Sequence, residues 1–541
     1  MSQVPRSPKI VIIGAGMTGI LMAIKCLDRG IQDIVVLEKA ATIGGTWREN
    51  TYPGVACDVP AHLYTYSFAM NPNWSHYYAG GNEIQGYFEE MVRRYQLEQY
   101  IQCNQEVTAS EFKAGEWSVT TVNGDQYQAD FVFCATGILH QPAYPDIKGL
   151  DSFAGKVFHT ARWDHSVKFD SSVRVGVIGN GSTAAQFIPE LVKSGADVSV
   201  FMRTPQWIMP VADRKFMDWE RYLLNRSMWM QRFYRWTSTL LLKDFFNRAL
   251  SGAPLRSWLL DKLVRWNLRS SVKDKILRQQ LQPDFQVGCK RVIVNTTFYP
   301  AIQQDNAHLV RDGIAEITPE GVLTSDGKLH KCDVLILSTG FNALSYMRPM
   351  ALKGSDNVDI EDAWKDKVEA YRSVLLKGYP NFFLMLGPHT PIANFSIIAM
   401  SEVQGDYIMQ LLDKWMQGEF DTVSPKQEAI TAYQAFIRAG LSGSTWASGC
   451  QSWYLDADGD AIVWPFSWAR YVESMAEPVK ETKTTVATHE TLRLMFLKVI
   501  RADATKKEVM RDLLIKYGAK KVTEVNVSDL PKILAEIKAL S

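Results

Sequence analysis

The run Ile10-Val-Ile-Ile-Gly14-Ala-Gly16-Met-Thr-Gly19 is a short apolar stretch that passes directly into a glycine-rich turn. Apolar residues then recur at helical spacing, and a second apolar stretch ends at Glu38. Three glycines at this spacing allow a tight turn, close approach of the backbone to a pyrophosphate and close packing of a helix on a strand. The segment therefore predicts a strand, a turn and a helix that bind a dinucleotide, with Glu38 accepting hydrogen bonds from ribose hydroxyls.

The same pattern returns later in the chain. The strand-like Val175-Gly-Val-Ile178 leads into Gly179-Asn-Gly181-Ser-Thr-Ala184, in which alanine takes the place of the third glycine. Alanine is a permitted variant at that position, so a second dinucleotide site is predicted. The residues expected to meet the second nucleotide are Gly179, Gly181, Ser182 and Thr183.

The second site ends differently from the first. Its second strand ends in Arg203-Thr204, where the first site has Glu38. A cation at this place suits a 2′-phosphate better than a free ribose diol, which predicts NADPH as the second nucleotide. Lys290 is a candidate for a second charge on that phosphate. The alternative for Arg203 is an ordinary surface arginine at the end of a strand.

The order of the elements predicts an α/β fold with two dinucleotide-binding, Rossmann-like domains. Apolar runs at 131–137 and 332–340 each resemble a strand that closes one unit, and the run at 382–386 should return to the first sheet. The expected division is an FAD-binding domain at 1–148 and 343–483, an NADP-binding domain at 149–208 and 286–342, a helical insertion at 209–285 and a small helical C-terminal appendage at 484–541.

The helical insertion is rich in Trp, Arg and Leu. Its apolar stretch from Met228 to Leu242 predicts a helix that packs on a core or lines a pocket, with a membrane-surface helix as the alternative. Trp229, Trp236 and Trp258, together with the loop at 341–347, are candidates for shaping a largely apolar substrate pocket.

Composition excludes several classes of protein. Lys and Arg number 59 against 58 Asp and Glu, so no overall field favours nucleic acid. The seven cysteines never form a CxxC pair, which argues against a zinc site or a CxxC redox centre, and no metal site is predicted. No secretory segment and no continuous apolar run of about 20 residues is evident, so a cytoplasmic location is expected.

Two further stretches carry a family resemblance. Phe153-Ala-Gly-Lys-Val-Phe-His159-Thr-Ala-Arg-Trp163-Asp164 matches, at every fixed position, the FxGxxxHxxxWD fingerprint of Baeyer–Villiger monooxygenases. The stretch from Gly44 to Asp58 fits a second pattern of the same family. Related flavin N- and S-oxygenases usually lack the final Trp and Asp of the fingerprint. The chain therefore resembles a Baeyer–Villiger monooxygenase.

The resemblance implies two cofactors and a reaction. FAD would occupy the first site, NADPH the second, and O2 would be inserted beside the carbonyl of a ketone, through an oxygen adduct of the reduced flavin, to give an ester or lactone. Neither the ketone nor the oligomeric state follows from it. The residues expected to hold FAD are Gly14, Gly16, Gly19, Glu38, Thr46, Trp47, Asp58, Tyr64 and Val107.

The family pattern also implies the catalytic roles. Asp58 would position Arg291, whose cation would stabilise negative oxygen, and His159 would act through domain motion and cofactor position. Gln451-Ser-Trp453-Tyr454 resembles the family segment whose tryptophan contacts NADP, but the stretch that follows it departs from the family. Without the resemblance, Asp58 would be a cap or surface charge, His159 a hydrogen-bonded core residue and Arg291 a strand-end ion pair.

Three rivals remain at this point. A flavin N- or S-oxygenase would consume NADPH with amines or sulfides and would form no ester. A disulfide reductase is disfavoured because no CxxC is present. A nucleotide-binding protein without turnover would have little reason to keep Asp58 and Arg291.

Overall fold

The chain is seen here in a computed structural model that describes residues 6–391, 395–441, 446, 462–478, 483–484, 492, 506–526, 529, 532–533 and 536–537. Within these ranges no helix is both long enough and apolar enough to cross a lipid bilayer.

The part of the chain that precedes the insertion alternates strands with helices. Its elements are β1 (Ile10–Ile13), α1 (Met17–Leu27), β2 (Ile34–Leu37), α2 (Thr46–Glu49), α3 (Gly81–Arg94), β3 (Ile101–Gln102), β4 (Val107–Lys113), β5 (Glu116–Thr121), β6 (Gln126–Ala129), β7 (Phe131–Cys134), β8 (Lys156–His159), β9 (Arg174–Ile178), α4 (Ser182–Lys193) and β10 (Asp197–Phe201).

Helices dominate the next segment. Its elements are β11 (Ile208–Met209), α5 (Asp218–Arg226), α6 (Met228–Leu240), a π-helix (Leu241–Asn247), α7 (Arg248–Leu250), α8 (Pro254–Ser271), α9 (Lys275–Gln280), β12 (Ile293–Val294) and α10 (Phe298–Ala301).

The remaining elements complete both sheets and the C-terminal part. They are β13 (Ala307–Val310), β14 (Ile314–Thr318), β15 (Gly321–Thr324), β16 (Leu329–Lys331), β17 (Val334–Leu337), β18 (Ala351–Lys353), α11 (Ile360–Ala363), β19 (Phe382–Leu384), α12 (Ile397–Met416), β20 (Thr422–Val423), α13 (Gln427–Leu441), α14 (Trp468–Ser474), β21 (Lys483–Thr484) and α15 (Lys507–Lys516).

The first parallel sheet has the order β19-β7-β1-β2-β3. Successive side chains of β1 enter two different cores: Ile10 and Ile12 pack with α1 and α12, whereas Val11 and Ile13 pack towards β5. A strand buried on both faces needs a continuous apolar run, which explains its sequence. β19 lies beside β7, as the apolar run at 382–386 predicted.

The second parallel sheet has the order β13-β10-β9-β17-β8. β17 lies between β9 and β8, so the apolar run at 332–340 closes this unit as expected. His159 ends β8 opposite Leu337, which places it at the carboxyl edge of the sheet. Ligands of open α/β sheets bind at this edge.

Helix α6 overturns part of the prediction for the insertion. Its buried residues are Gln231 and Ser238, whereas Trp229 and Trp236 are 69% and 57% exposed. The expectation is met for Met230 and Tyr234, which pack against the first core, and is wrong for the exposed Trp229 and Trp236. The π-helix that follows does line a pocket, as described below.

The described C-terminal residues form a small core of their own. Met510, Leu513 and Leu514 of α15 are buried together with Leu492 and Ile533. This cluster is separate from the cores of both sheets.

Candidate active site

A cavity of about 750 Å³ joins the two glycine turns. Among the predicted site residues it is lined by Gly14, Gly16, Glu38, Thr46, Trp47, Asp58, Tyr64, Val107, Gly181, Ser182, Thr183 and Arg291. Twelve of the residues predicted from the sequence thus line one continuous cavity. Its volume lies within the range that buries a large organic ligand.

The first turn has the shape that a pyrophosphate needs. Gly14 has φ of +101°, and a Cβ atom there would lie 2.8 Å from the carbonyl oxygen of Ala135. A Cβ on Gly19 would lie 1.9 Å from the carbonyl oxygen of Gly14, so Gly19 packs the helix onto the turn and does not line the cavity. The backbone cradle thus fits a dinucleotide.

Glu38 is buried at the end of β2. Its two carboxylate oxygens accept hydrogen bonds from the backbone N–H groups of Ala15, at 2.8 Å, and Ala40, at 3.0 Å. These bonds fix the carboxylate beside the first turn, where it also lines the cavity. A fixed acceptor at this place suits ribose hydroxyls.

Trp47 and Tyr64 form one wall of the cavity. Their rings meet edge to face with centroids 5.6 Å apart, and the Trp47 indole N–H donates to the Tyr64 hydroxyl at 3.2 Å. Burial raises the pKa of the Tyr64 hydroxyl well above its usual value, so this group remains protonated. Thr46 begins α2 beside them, and Val107 begins β4 across the cavity.

The second turn leaves room for a ligand. Gly179 has φ of +107°, and a Cβ there would lie 2.2 Å from the carbonyl oxygen of Ser338. A Cβ on Gly181 would meet no atom within 4 Å, so the backbone is open on that side. Ser182 and Thr183 begin α4, and the N-terminal end of a helix favours a phosphate.

The basic residues predicted for the second nucleotide do not line this cavity, and Lys290 lines the smaller cavity described below. Arg203 is exposed after β10, and the Thr204 carbonyl accepts from the Asn180 side chain at 2.8 Å. The Lys290 ammonium lies 4.9 Å from the centre of the Phe285 ring. Burial lowers the pKa of Lys290, while the charge of Asp284 raises it and that of Arg203 lowers it.

Asp58 and Arg291 form an ion pair across the two units. The Arg291 Nε and Nη2 atoms both donate to Asp58 Oδ2, at 3.1 and 2.6 Å. The Arg291 side chain is 36% exposed and that of Asp58 is 19% exposed. The structure therefore brings together two residues 233 positions apart to which the family resemblance assigned one role.

The loop before Asp58 is fixed on helix α4. Tyr52 donates from its hydroxyl to the Gln186 side chain at 2.9 Å, and Gln186 donates to the Ala56 carbonyl at 2.9 Å. A Cβ on Gly54 would lie 2.8 Å from the Gln186 carbonyl oxygen, so only glycine allows this approach. These contacts hold Asp58 against the second unit, where Arg291 precedes β12.

A smaller cavity of about 70 Å³ adjoins the large one. Asp58, Val59, Arg291 and Phe395 line both cavities. The remaining wall is mostly apolar and includes Leu241, Leu242, Phe246 and Leu250 of the insertion, with Val292 and Val294. The guanidinium of Arg291 thus lies between a dinucleotide-sized cavity and a small apolar one.

His159 and Trp163 of the fingerprint stand at the junction of the two units. Trp163 is buried against Tyr52, Phe158 and Phe187. His159 is buried, its Nδ1 accepts from the Ala161 N–H at 3.1 Å, and burial lowers its pKa. The imidazole is therefore neutral at pH 7, and it is Thr160, the next residue, that lines the cavity.

Some expectations were not met. Trp229, Trp236 and Trp258 line neither cavity and are exposed, because the pocket wall is built by the π-helix and α7 instead. Phe341 and Met347 of the loop at 341–347 do line the large cavity. Trp453 lies outside the described residues.

Sequence reasoning missed other residues of the cavity walls. Gln186, Phe395 and Arg48 were not singled out. Gln186 lies two residues after the second glycine pattern, and Phe395 follows the stretch Gly387-Pro-His-Thr-Pro391, which resembles a flavin-side loop of the family. Helical spacing after the glycine pattern could have identified Gln186, and the family-like loop could have identified Phe395. In the described part of the chain, no group of His, Cys, Asp or Glu side chains is arranged to hold a metal ion.

Comparisons with known proteins agree with this geometry. The pyridine nucleotide-disulphide oxidoreductase family matches residues 11–219. An uncharacterised monooxygenase of Mycobacterium tuberculosis is 42% identical over 87% of this chain and 94% of its own length. A Baeyer–Villiger monooxygenase of Streptomyces coelicolor is 34% identical over 87% of this chain and 91% of its own length. The crystal structure of OTEMO in complex with FAD and NADP has 27% sequence identity and a TM-score of 0.78, covering 88% of this chain and 98% of that one.

Proposed function

Because this chain belongs to the Baeyer–Villiger monooxygenase family, we propose that it oxidises a ketone at the place where Asp58 and Arg291 meet. It is an FAD- and NADPH-dependent monooxygenase that converts ketones to esters or lactones with O2. When bound, FAD takes electrons from NADPH and activates O2 for insertion beside the carbonyl carbon.

The two cofactors would divide the large cavity between them. Gly14 and Gly16 would meet the FAD pyrophosphate, Glu38 its ribose, and Thr46, Trp47, Tyr64 and Val107 the rest of that molecule. Gly181, Ser182 and Thr183 would meet the NADPH pyrophosphate, with Arg203, Thr204 and Lys290 around its 2′-phosphate. The open backbone at Gly181 and the exposed cation of Arg203 at the end of β10 support this division.

The position of Arg291 between the two cavities is the observation that carries the proposal. Addition of oxygen to a ketone carbon places negative charge on the carbonyl oxygen, and a preorganised cation in a partly dry site stabilises it. A guanidinium stays protonated at any working pH. One carboxylate oxygen of Asp58 accepts two hydrogen bonds from the Arg291 guanidinium. The cation is therefore held in place and need not reorganise during the reaction.

His159 and Trp163 would act by positioning the two units relative to each other. Trp163 packs between the loop that carries Tyr52 and helix α4, and neutral His159 stands beside the turn that follows β17. We propose that they set how the two units meet. The role of Trp453 at the nicotinamide nucleotide stays a prediction.

The two sheets and the helices between them support the domain division given above, with FAD bound by 1–148 and 343–483 and NADPH by 149–208 and 286–342. The insertion at 209–285 contributes the apolar wall of the small cavity, and the described residues of 484–541 form a separate cluster. The partners are a small-molecule ketone and O2, and nucleic acid is not expected.

Screening linear, cyclic, aryl and steroidal ketones for NADPH- and O2-dependent ester formation tests the reaction.

Arg291→Ala should keep bound flavin and NADPH oxidation but lose roughly 100- to 1,000-fold in ester formation, with hydrogen peroxide released instead. Arg93→Ala, at an exposed ion pair on α3, is the matched control and should behave as the parent. Ester formation at the parental rate by Arg291→Ala would remove it from this role. Oxidation of amines or sulfides with no ester from any ketone would favour an N- or S-oxygenase.

A further inference from the structure

Helix α6 turns a mixed face inward, in which Met230 and Tyr234 pack against the first core beside the buried Gln231 and Ser238. Gln231 donates to the Leu224 carbonyl at 2.7 Å, Ser238 contacts the Tyr77 hydroxyl at 3.3 Å, and Arg235 donates to the Thr65 carbonyl at 3.1 Å. These bonds fix the rotation of the helix about its axis. The outward direction of its apolar face is therefore built into the fold.

The outward face of α6 is a stripe of large apolar side chains. Met228, Trp229, Phe233, Trp236 and Leu240 are all exposed and follow helical spacing. The Phe233 ring lies 5.6 Å from that of Trp229 and 6.1 Å from that of Trp236, so they form one continuous aromatic strip. A soluble surface helix has the opposite arrangement.

Neighbouring helices carry similar stripes. α8 exposes Leu255, Trp258, Leu259 and Trp266, and both α6 and α8 pack against the π-helix. Fifteen of the 24 exposed large apolar side chains of the described residues lie within residues 217–276, as do all five exposed tryptophans among them. We call the exposed apolar side chains of 217–276 the aromatic surface.

The same residues are strongly basic. Residues 217–276 contain twelve Lys and Arg against five Asp and Glu, a net charge of +7 in a chain whose net charge is +1. Arg232, Arg269, Lys273 and Lys275 are exposed within the same segment. The Lys262 ammonium lies 5.7 Å from the Trp258 ring centre, so charge and aromatic surface are interleaved.

We propose that the aromatic surface docks on an anionic lipid bilayer. Exposed Trp and Leu side chains insert between headgroups and acyl chains, while Lys and Arg meet anionic headgroups. A second copy of this chain is a poorer occupant, because self-association would bring two surfaces of +7 charge together. The bilayer satisfies the apolar stripe and the positive charge at once.

The docking surface leads to the small cavity. Leu241 is 40% exposed at the end of the α6 stripe, and it also lines the cavity beside Arg291. Resting on the proposed function, the substrate class that this geometry favours is an apolar ketone dissolved in the bilayer. Such a molecule would pass from lipid to Arg291 along the apolar wall of Leu241, Leu242 and Phe246.

Sedimentation with vesicles tests the docking without any turnover. The full-length flavoprotein should sediment with vesicles of phosphatidylglycerol and phosphatidylcholine, bind far less to phosphatidylcholine alone, and be released by salt. The triple variant Trp229→Ser, Phe233→Ser, Trp236→Ser should lose roughly tenfold or more in vesicle affinity. Val122→Ser, Leu329→Ser, Val358→Ser removes exposed apolar side chains elsewhere and should bind as the parent.

Charge reversal separates the electrostatic contribution. Arg232→Glu, Arg269→Glu, Lys275→Glu should weaken binding to anionic vesicles roughly tenfold or more, whereas Lys168→Glu, Lys328→Glu, Lys426→Glu should not. Absence of vesicle binding by the parent would overturn the proposal. So would a change of mass in light scattering caused by the aromatic triple variant, because the surface would then join copies of the chain.

Activity supplies a second readout. With an apolar ketone held in anionic vesicles, the aromatic triple variant should show a raised KM, while its turnover of a water-soluble ketone stays parental. Equal rates on both ketones would overturn the link between docking and substrate. Vesicle binding with no ketone turnover at all would instead contradict the proposed function and leave the docking intact.

Discussion

Arg291 places two donors on a single oxygen of Asp58, so the carboxylate fixes both the place and the tilt of the guanidinium. The second Asp58 oxygen is left out of this bond pair. Two donors on one acceptor hold an arginine more firmly than one, because rotation about the last side-chain bond breaks a contact. The pair explains how a loop residue of one unit can set the chemistry of a residue in the other.

Asp58→Ala should therefore weaken catalysis without removing the cation. We expect ester formation to fall by less than the roughly 100- to 1,000-fold loss given for Arg291→Ala, since the guanidinium remains but is poorly oriented. Gas chromatography of the ester, with hydrogen peroxide measured in parallel, resolves the two variants. Asp125→Ala, at an exposed loop, is the control. A loss equal to that of Arg291→Ala would show that Asp58 does more than orient.

Arg203 carries the prediction of nucleotide preference. It is exposed after β10, at the strand end where the cation of a 2′-phosphate site is expected. Arg203→Ala should raise the KM for NADPH about tenfold or more and leave that for NADH nearly unchanged. Steady-state kinetics with both nucleotides measure this. Equal effects on the two KM values would show that Arg203 is an ordinary surface arginine with no role at the 2′-phosphate.

The first glycine turn depends on backbone contact at one helix position. Gly19 of α1 has no space for a Cβ, because the Gly14 carbonyl oxygen would be 1.9 Å away. Gly19→Ala should therefore push the helix from the turn and lower the flavin content of the purified protein, read from the ratio of visible to ultraviolet absorbance. A Cβ on Gly86 in α3 would meet no atom within 4 Å. Gly86→Ala should therefore keep full flavin and raise the free energy of unfolding by about 0.5–1 kcal/mol. Full flavin in Gly19→Ala would contradict the proposed packing.

Helix α5 begins at a buried carboxylate. Glu220 accepts two bonds from Arg214, both at 2.6 Å, one from the Met217 N–H at 2.9 Å and one from the Tyr234 hydroxyl at 2.7 Å. Bonds from Arg214 lower the pKa of Glu220 to about 2 in the folded state, below its usual 4.5. The unfolded chain binds a proton first as pH falls, so this contribution to stability is present above about pH 4.5 and is lost towards pH 2.

Glu220→Gln should remove that part of the acid sensitivity. At pH 7 the variant should lose about 1–3 kcal/mol of unfolding free energy, since Arg214 keeps its charge without its partner. Its stability should then change less than the parent's on acidification from pH 5 to about pH 3. Urea unfolding at several pH values measures both. Glu90→Gln at an exposed ion pair is the control, and an equal pH slope for Glu220→Gln and the parent would refute the assignment.

Across the whole molecule, the sequence predicted what backbone rules dictate. Gly14, Gly179 and the apolar runs of β1 and β9 follow from strand, turn and helix geometry, and both sheets formed around them. The family pattern added Asp58 and Arg291, which no local rule could pair because 233 residues separate them.

The orientation of α6 was not predictable, since its apolar residues suit either a core or a surface. Tertiary contacts decide it, because Gln231 and Ser238 form buried hydrogen bonds while Met230 and Tyr234 pack against the first core.

The two units are held together by the loop at 52–58 and the fingerprint. Tyr52 contacts Trp163, Phe187 and Gln186, so one side chain of the first unit meets three of the second. The catalytic pair crosses the same junction. Motion between the units would therefore change the Asp58–Arg291 distance, which links the fingerprint to the site without any direct role for His159 in proton transfer.

The C-terminal residues supply the last prediction. β21, at Lys483–Thr484, pairs with β20 beside the first unit, so the boundary expected at Lys483 falls inside a strand. Beyond it, Met510, Leu513 and Ile533 pack in a cluster that contains no residue of either sheet. We therefore expect the main cores to fold without this cluster.

A chain that ends at Thr484 should therefore keep its flavin, its unfolding midpoint and its ketone turnover, each within about twofold or a few degrees of the full-length protein. A chain that ends at Thr422 removes β21 together with α13 and α14, whose residues belong to the first core, and should fail to fold. Flavin absorbance, thermal unfolding and ester formation compare the two chains directly. Loss of flavin from the chain ending at Thr484 would mean that the C-terminal cluster supports the FAD site. If that chain retains its flavin, residues 485–541 would affect only assembly or solubility.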